Sequence, residues 1–106
     1  MVRGIYFIEM PYSDFRQFKG RPVLVLKSIV KNDVLILPLT TNLSREGITI
    51  TNDDLEEGSL KKPSVIIVPK ITAIDRLLIQ EARRIAVLHP KSFERVEEMV
   101  CREFGC

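Results

Sequence analysis

Apolar residues gather in short runs through the first two thirds of the chain, and the runs have the length of strands rather than helices. Ile5–Met10, Val23–Val30, Val34–Leu39, Ile48–Thr51 and Val65–Ile71 are rich in valine, isoleucine and leucine, which predicts five β-strands. Polar stretches divide them. Tyr12–Gly20 reads as a loop, Lys31-Asn32-Asp33 as a tight turn, and Asn52–Pro63 as a charged connection holding Gly58 and Pro63. Val23-Leu24-Val25-Leu26 and Val34-Leu35-Ile36-Leu37 are apolar at odd and even positions alike. Joined by so short a turn, they are expected to form a central antiparallel hairpin with both faces covered. The interior of a barrel would cover one face, and a helix or a second subunit the other.

After a sixth short strand at Arg83–Leu88 the period changes. Phe93, Val96, Val100 and Phe104 fall at i, i+3, i+7 and i+11, one face of a 3.6-residue repeat, so a helix is predicted over about 90–104. Pro90 suits its first position, His89 its N-cap and Gly105 its C′ position. Arg76–Ala82 fits a helical turn or a loop equally. The reading is mainly β: one domain, residues 1–106, a small and strongly bent antiparallel barrel with a C-terminal α-helix.

Composition narrows the class. With 45% hydrophobic residues in 106, the chain is not a disordered one. No apolar run approaches the ~20 residues of a membrane helix, and no leader precedes the first strand, so the expected location is the cytoplasm. Cys101 and Cys106 both lie in the last six residues, where a bridge would staple nothing; free thiols are expected. The formal net charge is only +2, but residues 1–52 hold +3 and the remainder −1. The basic excess therefore sits in the first half.

The single histidine, His89, excludes a histidine pair and a histidine-rich metal site. Asp53, Asp54, Glu56 and Glu57 are expected to be a solvated acidic connection, and no metal or other cofactor is expected. No glycine-rich phosphate loop or GxSxG elbow occurs. What remains is polar residues at strand ends. Gly20-Arg21-Pro22 opens the second strand and Leu39-Thr40-Thr41-Asn42 closes the third. In an antiparallel hairpin, Arg21 begins one strand where Thr40 ends its neighbour. A guanidinium and a hydroxyl meeting there suit a phosphodiester, the first by bidentate hydrogen bonds and the second as a donor to a non-bridging oxygen. A surface charge and a strand terminator fit the same spacing.

Pro11-Tyr12-Ser13-Asp14, Gly20-Arg21-Pro22-Val23-Leu24-Val25-Leu26 and Asp33-Val34-Leu35-Ile36-Leu37-Pro38-Leu39-Thr40-Thr41-Asn42 resemble the MazF/PemK toxin family. Leu60-Lys61-Lys62-Pro63-Ser64-Val65-Ile66-Ile67-Val68, then Ile74-Asp75 and the terminal helix, continue the likeness over nearly the whole chain. The resemblance implies an SH3-like barrel with a C-terminal helix, a homodimer, and a type II toxin silenced by an acidic antitoxin peptide. It further implies a metal-independent, sequence-selective endoribonuclease acting on single-stranded RNA. Arg21 and Thr40 match the family's chief catalytic residues. The implied chemistry is attack of a ribose 2′-OH on phosphorus, leaving a 2′,3′-cyclic phosphate and a 5′-OH end.

Arg16, Lys19 and Lys27 are then candidates for flanking phosphates, and Phe15 and Phe18 for stacking on bases. Thr41, Asn42 and Lys70 are further candidate RNA contacts. Two positions depart from the family pattern: Arg3-Gly4 where Gly-Asp or Gly-Glu is usual, and Pro69-Lys70 where Asp-Gln is common. These departures motivate an alternative, a non-catalytic SH3-like module that binds RNA or protein.

Overall fold

The computed structural model describes residues 1–11 and 18–105, with side chains described for all of these except Met10, Pro11, Phe18 and Lys19. Eight strands precede one helix: β1 (Gly4–Pro11), β2 (Phe18–Ser28), β3 (Asp33–Thr40), β4 (Ile48–Ile50), β5 (Leu55–Gly58), β6 (Ser64–Ile66), β7 (Thr72–Asp75), β8 (Arg84–Leu88) and α1 (Pro90–Phe104). They form one curled antiparallel sheet, a half-barrel, in the order β4-β6-β3-β2-β1-β8-β5, with β7 also pairing β3.

The expected central hairpin is present, with Leu24 opposite Leu37 and Val25 opposite Ile36. Both of its faces are buried. Leu24 and Leu37 join Ile5, Leu39, Ile66 and Leu88 in one core, and α1 adds Phe93 and Val96 to that same core. Val23, Val25, Val34 and Ile36 join Tyr6 and Ile8 in a second core. The helix and the barrel interior therefore share a side, contrary to expectation. Ile74 of β7 and Ile79 cover the other face, so the chain does this without a second subunit.

That covering segment has little regular structure. It consists of two 3₁₀ turns, Arg76–Leu78 and Glu81–Arg83, in the stretch the sequence left open. Polar bonds fasten both ends. The Arg76 amide donates to the Asn32 carbonyl at 2.7 Å, and the Tyr6 hydroxyl donates to Glu81 Oε1 at 2.8 Å. Burial, together with the Glu81 carboxylate, pushes the Tyr6 hydroxyl up to about 12.

Several boundaries differ from expectation. Val65–Ile71 is not one strand: β6 ends at Ile66, a 3₁₀ turn spans Val68–Lys70, and β7 follows. Pro69, lacking an N–H, breaks the run, and the chain passes from one stretch of β3 to another. The charged connection Asn52–Pro63 contains β5, which pairs β8 while exposing Glu56, Glu57 and Gly58. Phe18-Lys19-Gly20, expected in the loop, belongs to β2; residues 12–17 lie outside the described residues. The helix spans Pro90–Phe104 as expected, with His89 at its N-cap and Gly105 (φ 84°) at its C-cap, although Phe104 is exposed rather than packed. Cys101, expected as a free thiol, is disulfide-bonded, and Cys106 lies outside the described residues. A small loop limits how much a bridge stabilises a fold, but it does not prevent the bridge from forming.

The acidic connection is not simply solvated. Asp54 Oδ1 accepts from Ser92 Oγ at 2.8 Å and Arg95 Nη2 at 2.9 Å, Oδ2 accepts from the Thr51 amide at 2.9 Å, and its carbonyl accepts from the His89 amide at 2.8 Å. One aspartate thus anchors the first turn of α1 to the sheet. Glu56 pairs with Arg3 and Glu57 with Arg84.

Candidate functional site

Arg21 lies near the start of β2, half-buried, opposite Ile8 of β1. The glycine before it packs under the Phe7 ring, which a Cβ on Gly20 would have to displace. Thr40 is the last residue of β3, also half-buried, and pairs with Val65 of β6. The β2–β3 ladder runs as far as Val23 opposite Pro38. Counted onward, the same register sets Arg21 level with Thr40, at the end where β2 begins and β3 leaves it for β6.

Alternation then decides the face. Val23 and Val25 of β2, and Val34 and Ile36 of β3, all point into the second core. Arg21 is two residues from Val23, and Thr40 four from Ile36, so strand alternation assigns both to that face. A groove of about 190 Å³ adjoins it, lined by Ile8, Glu9, Leu78, Gln80 and Arg83, and Ile8 is the register partner of Arg21.

Local turn chemistry orients Thr40. Its Oγ1 accepts the Asn42 amide at 3.2 Å, which occupies one lone pair and leaves the hydroxyl hydrogen available for an outside acceptor. Asn42 Oδ1 in turn accepts from the Ser44 amide at 3.1 Å and Ser44 Oγ at 2.7 Å. The asparagine oxygen is thus used in shaping the turn, and only its NH₂ faces other tasks. Thr41 is exposed beside it.

The remaining expected contacts are scattered. Lys70 is exposed at the end of the Val68–Lys70 turn, between Ile67, whose amide donates to the Pro38 carbonyl at 2.9 Å, and Thr72, which pairs with Ile36. It stands back from the rim. Lys27 is exposed at the far end of β2, six residues from Arg21 and therefore roughly 20 Å away along the strand. The structure does not bring it to the Arg21–Thr40 end. Phe15 and Arg16 lie outside the described residues, as do the side chains of Phe18 and Lys19.

Among the described residues, no three His, Cys, Asp or Glu side chains gather as metal ligands. One group at this end was not anticipated: the Lys61-Lys62 turn leading into β6. The sequence shows this stretch as part of the family likeness and as a pair of lysines just before a buried strand, which does not reveal which strands that one pairs with.

A curled half-barrel whose polar strand ends stand at one rim, with a helix packed into its core, defines a class of small β-domain proteins. Within that class the chain belongs to one family: residues 2–104 match the PemK-like, MazF-like toxin of type II toxin–antitoxin systems. Among solved structures, Mycobacterium tuberculosis toxin MazF-mt6 is similar in fold, with a TM-score of 0.69 at 23% identity over 96% of each chain. No curated protein sequence matches significantly. Among the described residues, no helix is long and apolar enough to cross a membrane.

Proposed function

We propose that the chain is a sequence-selective endoribonuclease toxin that cleaves single-stranded RNA without a metal ion. The observation that supports this reading is the β2–β3 ladder, which ends at Val23 opposite Pro38 and, counted two residues onward, aligns Arg21 with Thr40. A guanidinium stays protonated at neutral pH and is a poor base, so its work is electrostatic. Arg21 grips the non-bridging oxygens as the ribose 2′-OH attacks, and its charge offsets that of the pentacoordinate phosphorus. Thr40 donates its hydroxyl hydrogen to the same oxygens. The O2′–P bond forms as the P–O5′ bond breaks, the 2′-OH proton passing to solvent and the departing 5′ oxygen taking a proton from it. The products are therefore a 2′,3′-cyclic phosphate and a 5′-OH, and a strand without the 2′-OH is not cut.

One observation favours the second reading, a module that binds RNA or protein without cutting. Gly4 is buried against Tyr6, and a Cβ there would stand 2.6 Å from Tyr6 Cε1. No acidic side chain fits that place without displacing the ring, so an auxiliary base from this position is closed to the chain.

The same reading includes an antitoxin, an acidic segment that folds across the basic rim, and a homodimer. Leu77 is 84% exposed on the segment covering the second core, and we assign it to the surface that a second copy would cover. Incubation of the purified protein with mixed RNA in EDTA, followed by end-group analysis, tests the nuclease reading. Cyclic phosphate ends are expected. Intact RNA bound in a salt-dependent way would favour the non-catalytic module.

A further inference from the structure

The rim holds a second basic feature, beyond the Arg21–Thr40 pair. In β6, Ser64 pairs with Ile50 at the end of β4, and Val65 pairs with Thr40 at the end of β3. The chain entering β6 therefore arrives where β3 and β4 stop and β2 starts. That incoming chain is Lys61-Lys62-Pro63. Strands lie about 4.8 Å apart, so the β6 position is two spacings, about 10 Å, from that of β2.

Both lysines are exposed. Arg3, Arg83, Arg84 and Arg95 hold carboxylates in ion pairs, and neither lysine is a partner in any of these. The turn is nonetheless held in place. The Leu60 amide donates to Asn52 Oδ1 at 2.7 Å, and Ser64 Oγ donates to the Lys62 carbonyl at 3.1 Å. Between these bonds the turn walls a cleft of about 260 Å³, with Thr51, Asn52 and the exposed Asp53 on its other side. Two uncommitted ammonium groups on a fixed backbone meet an anion with little ordering of the chain.

Lysine suits a particular kind of contact. Its compact charge on a flexible stem tracks a phosphate without reading a base. We propose that Lys61 and Lys62 form a backbone-phosphate site for single-stranded RNA, holding the strand on the β6 side of Thr40. This rests on the reading that the Arg21–Thr40 rim engages RNA. It adds the direction in which the strand leaves that rim.

The test uses a labelled 2′-O-methyl RNA oligonucleotide, which has no free 2′-OH and is not cut, bound by fluorescence polarisation across a salt series. Replacing both lysines (Lys61→Ala with Lys62→Ala) is expected to reduce the slope of log K against log salt by about 1.4, two single-strand phosphates' worth. Lys31→Ala, in the turn at the opposite end of the hairpin, is expected to leave the slope unchanged. No binding by the wild type, an unchanged slope in the double variant, or an equal loss in Lys31→Ala would overturn the proposal. So would a double variant that keeps the slope but loses binding to poly-glutamate, which would assign the lysines to an acidic protein. Cleavage is read separately on ordinary RNA: a wild type that does not cut but shows the slope change removes the nuclease reading and leaves the lysine site standing.

Discussion

At the level of single residues, the site depends on what each side chain can do that its nearest substitute cannot. Thr40 already accepts one hydrogen bond from Asn42, so the role proposed for it toward phosphate is that of a donor. Thr40→Ser keeps a hydroxyl and is expected to stay within about tenfold of wild-type cleavage, whereas Thr40→Ala is expected to lose ~10²-fold or more. Equal rates for the two variants in single-turnover assays would remove the hydroxyl from the chemistry. Tyr6 supports a different prediction. Its pKa is about 12 in the folded chain against 10.0 for a free side chain, so the folded state holds the proton more tightly. The stability from this group is complete below pH 10 and is lost as pH rises toward 12. The melting temperature of the wild type should fall faster across that range than that of Tyr6→Phe, and parallel curves would contradict the assignment.

Elements differ in how openly the chain announces them. The β2–β3 hairpin was legible because Val23-Leu24-Val25 and Val34–Leu37 are apolar on both faces, and α1 because Phe93, Val96 and Val100 repeat at helical spacing. The strand β5 was hidden, since only Leu55 of Leu55-Glu56-Glu57-Gly58 is buried and the acids read as connection. The β6–β7 break was hidden too, because apolar residues continue through it and Pro69 alone marks the interruption. Arg21 and Thr40 could be aligned by counting across a turn, and alternation then settles their face. Lys61 and Lys62 could not, because their place depends on β6 pairing with both β3 and β4. Asp54 tests the junction between elements. Asp54→Ala removes the acceptor for Ser92, Arg95 and the Thr51 amide, and should cost about 2–3 kcal/mol in urea unfolding. Asp53→Ala, at the exposed neighbouring position in the 3₁₀ turn Asn52–Asp54, should stay within about 0.5 kcal/mol. Similar losses for the two would mean that Asp54 does not anchor the helix.

Taken as a whole, the molecule fills both faces of its central strands from one chain. What a second copy would add is cover for the apolar groups left outside, Leu77 foremost among them. Light scattering is expected to give twice the chain mass for the wild type and a single chain for Leu77→Asp. A monomer in both would confine any dimer to another surface.

The central claim is that one guanidinium and one hydroxyl act on the same phosphate, and a double-mutant cycle tests it most directly. Single-turnover cleavage of one RNA in EDTA would be measured for wild type, Arg21→Ala, Thr40→Ala and the double variant, with circular dichroism confirming that each is folded. Each single variant should lose ~10²-fold or more, and the double should fall well short of the product of the two losses, because groups that act together are not additive. Full activity in the folded double variant would contradict the account.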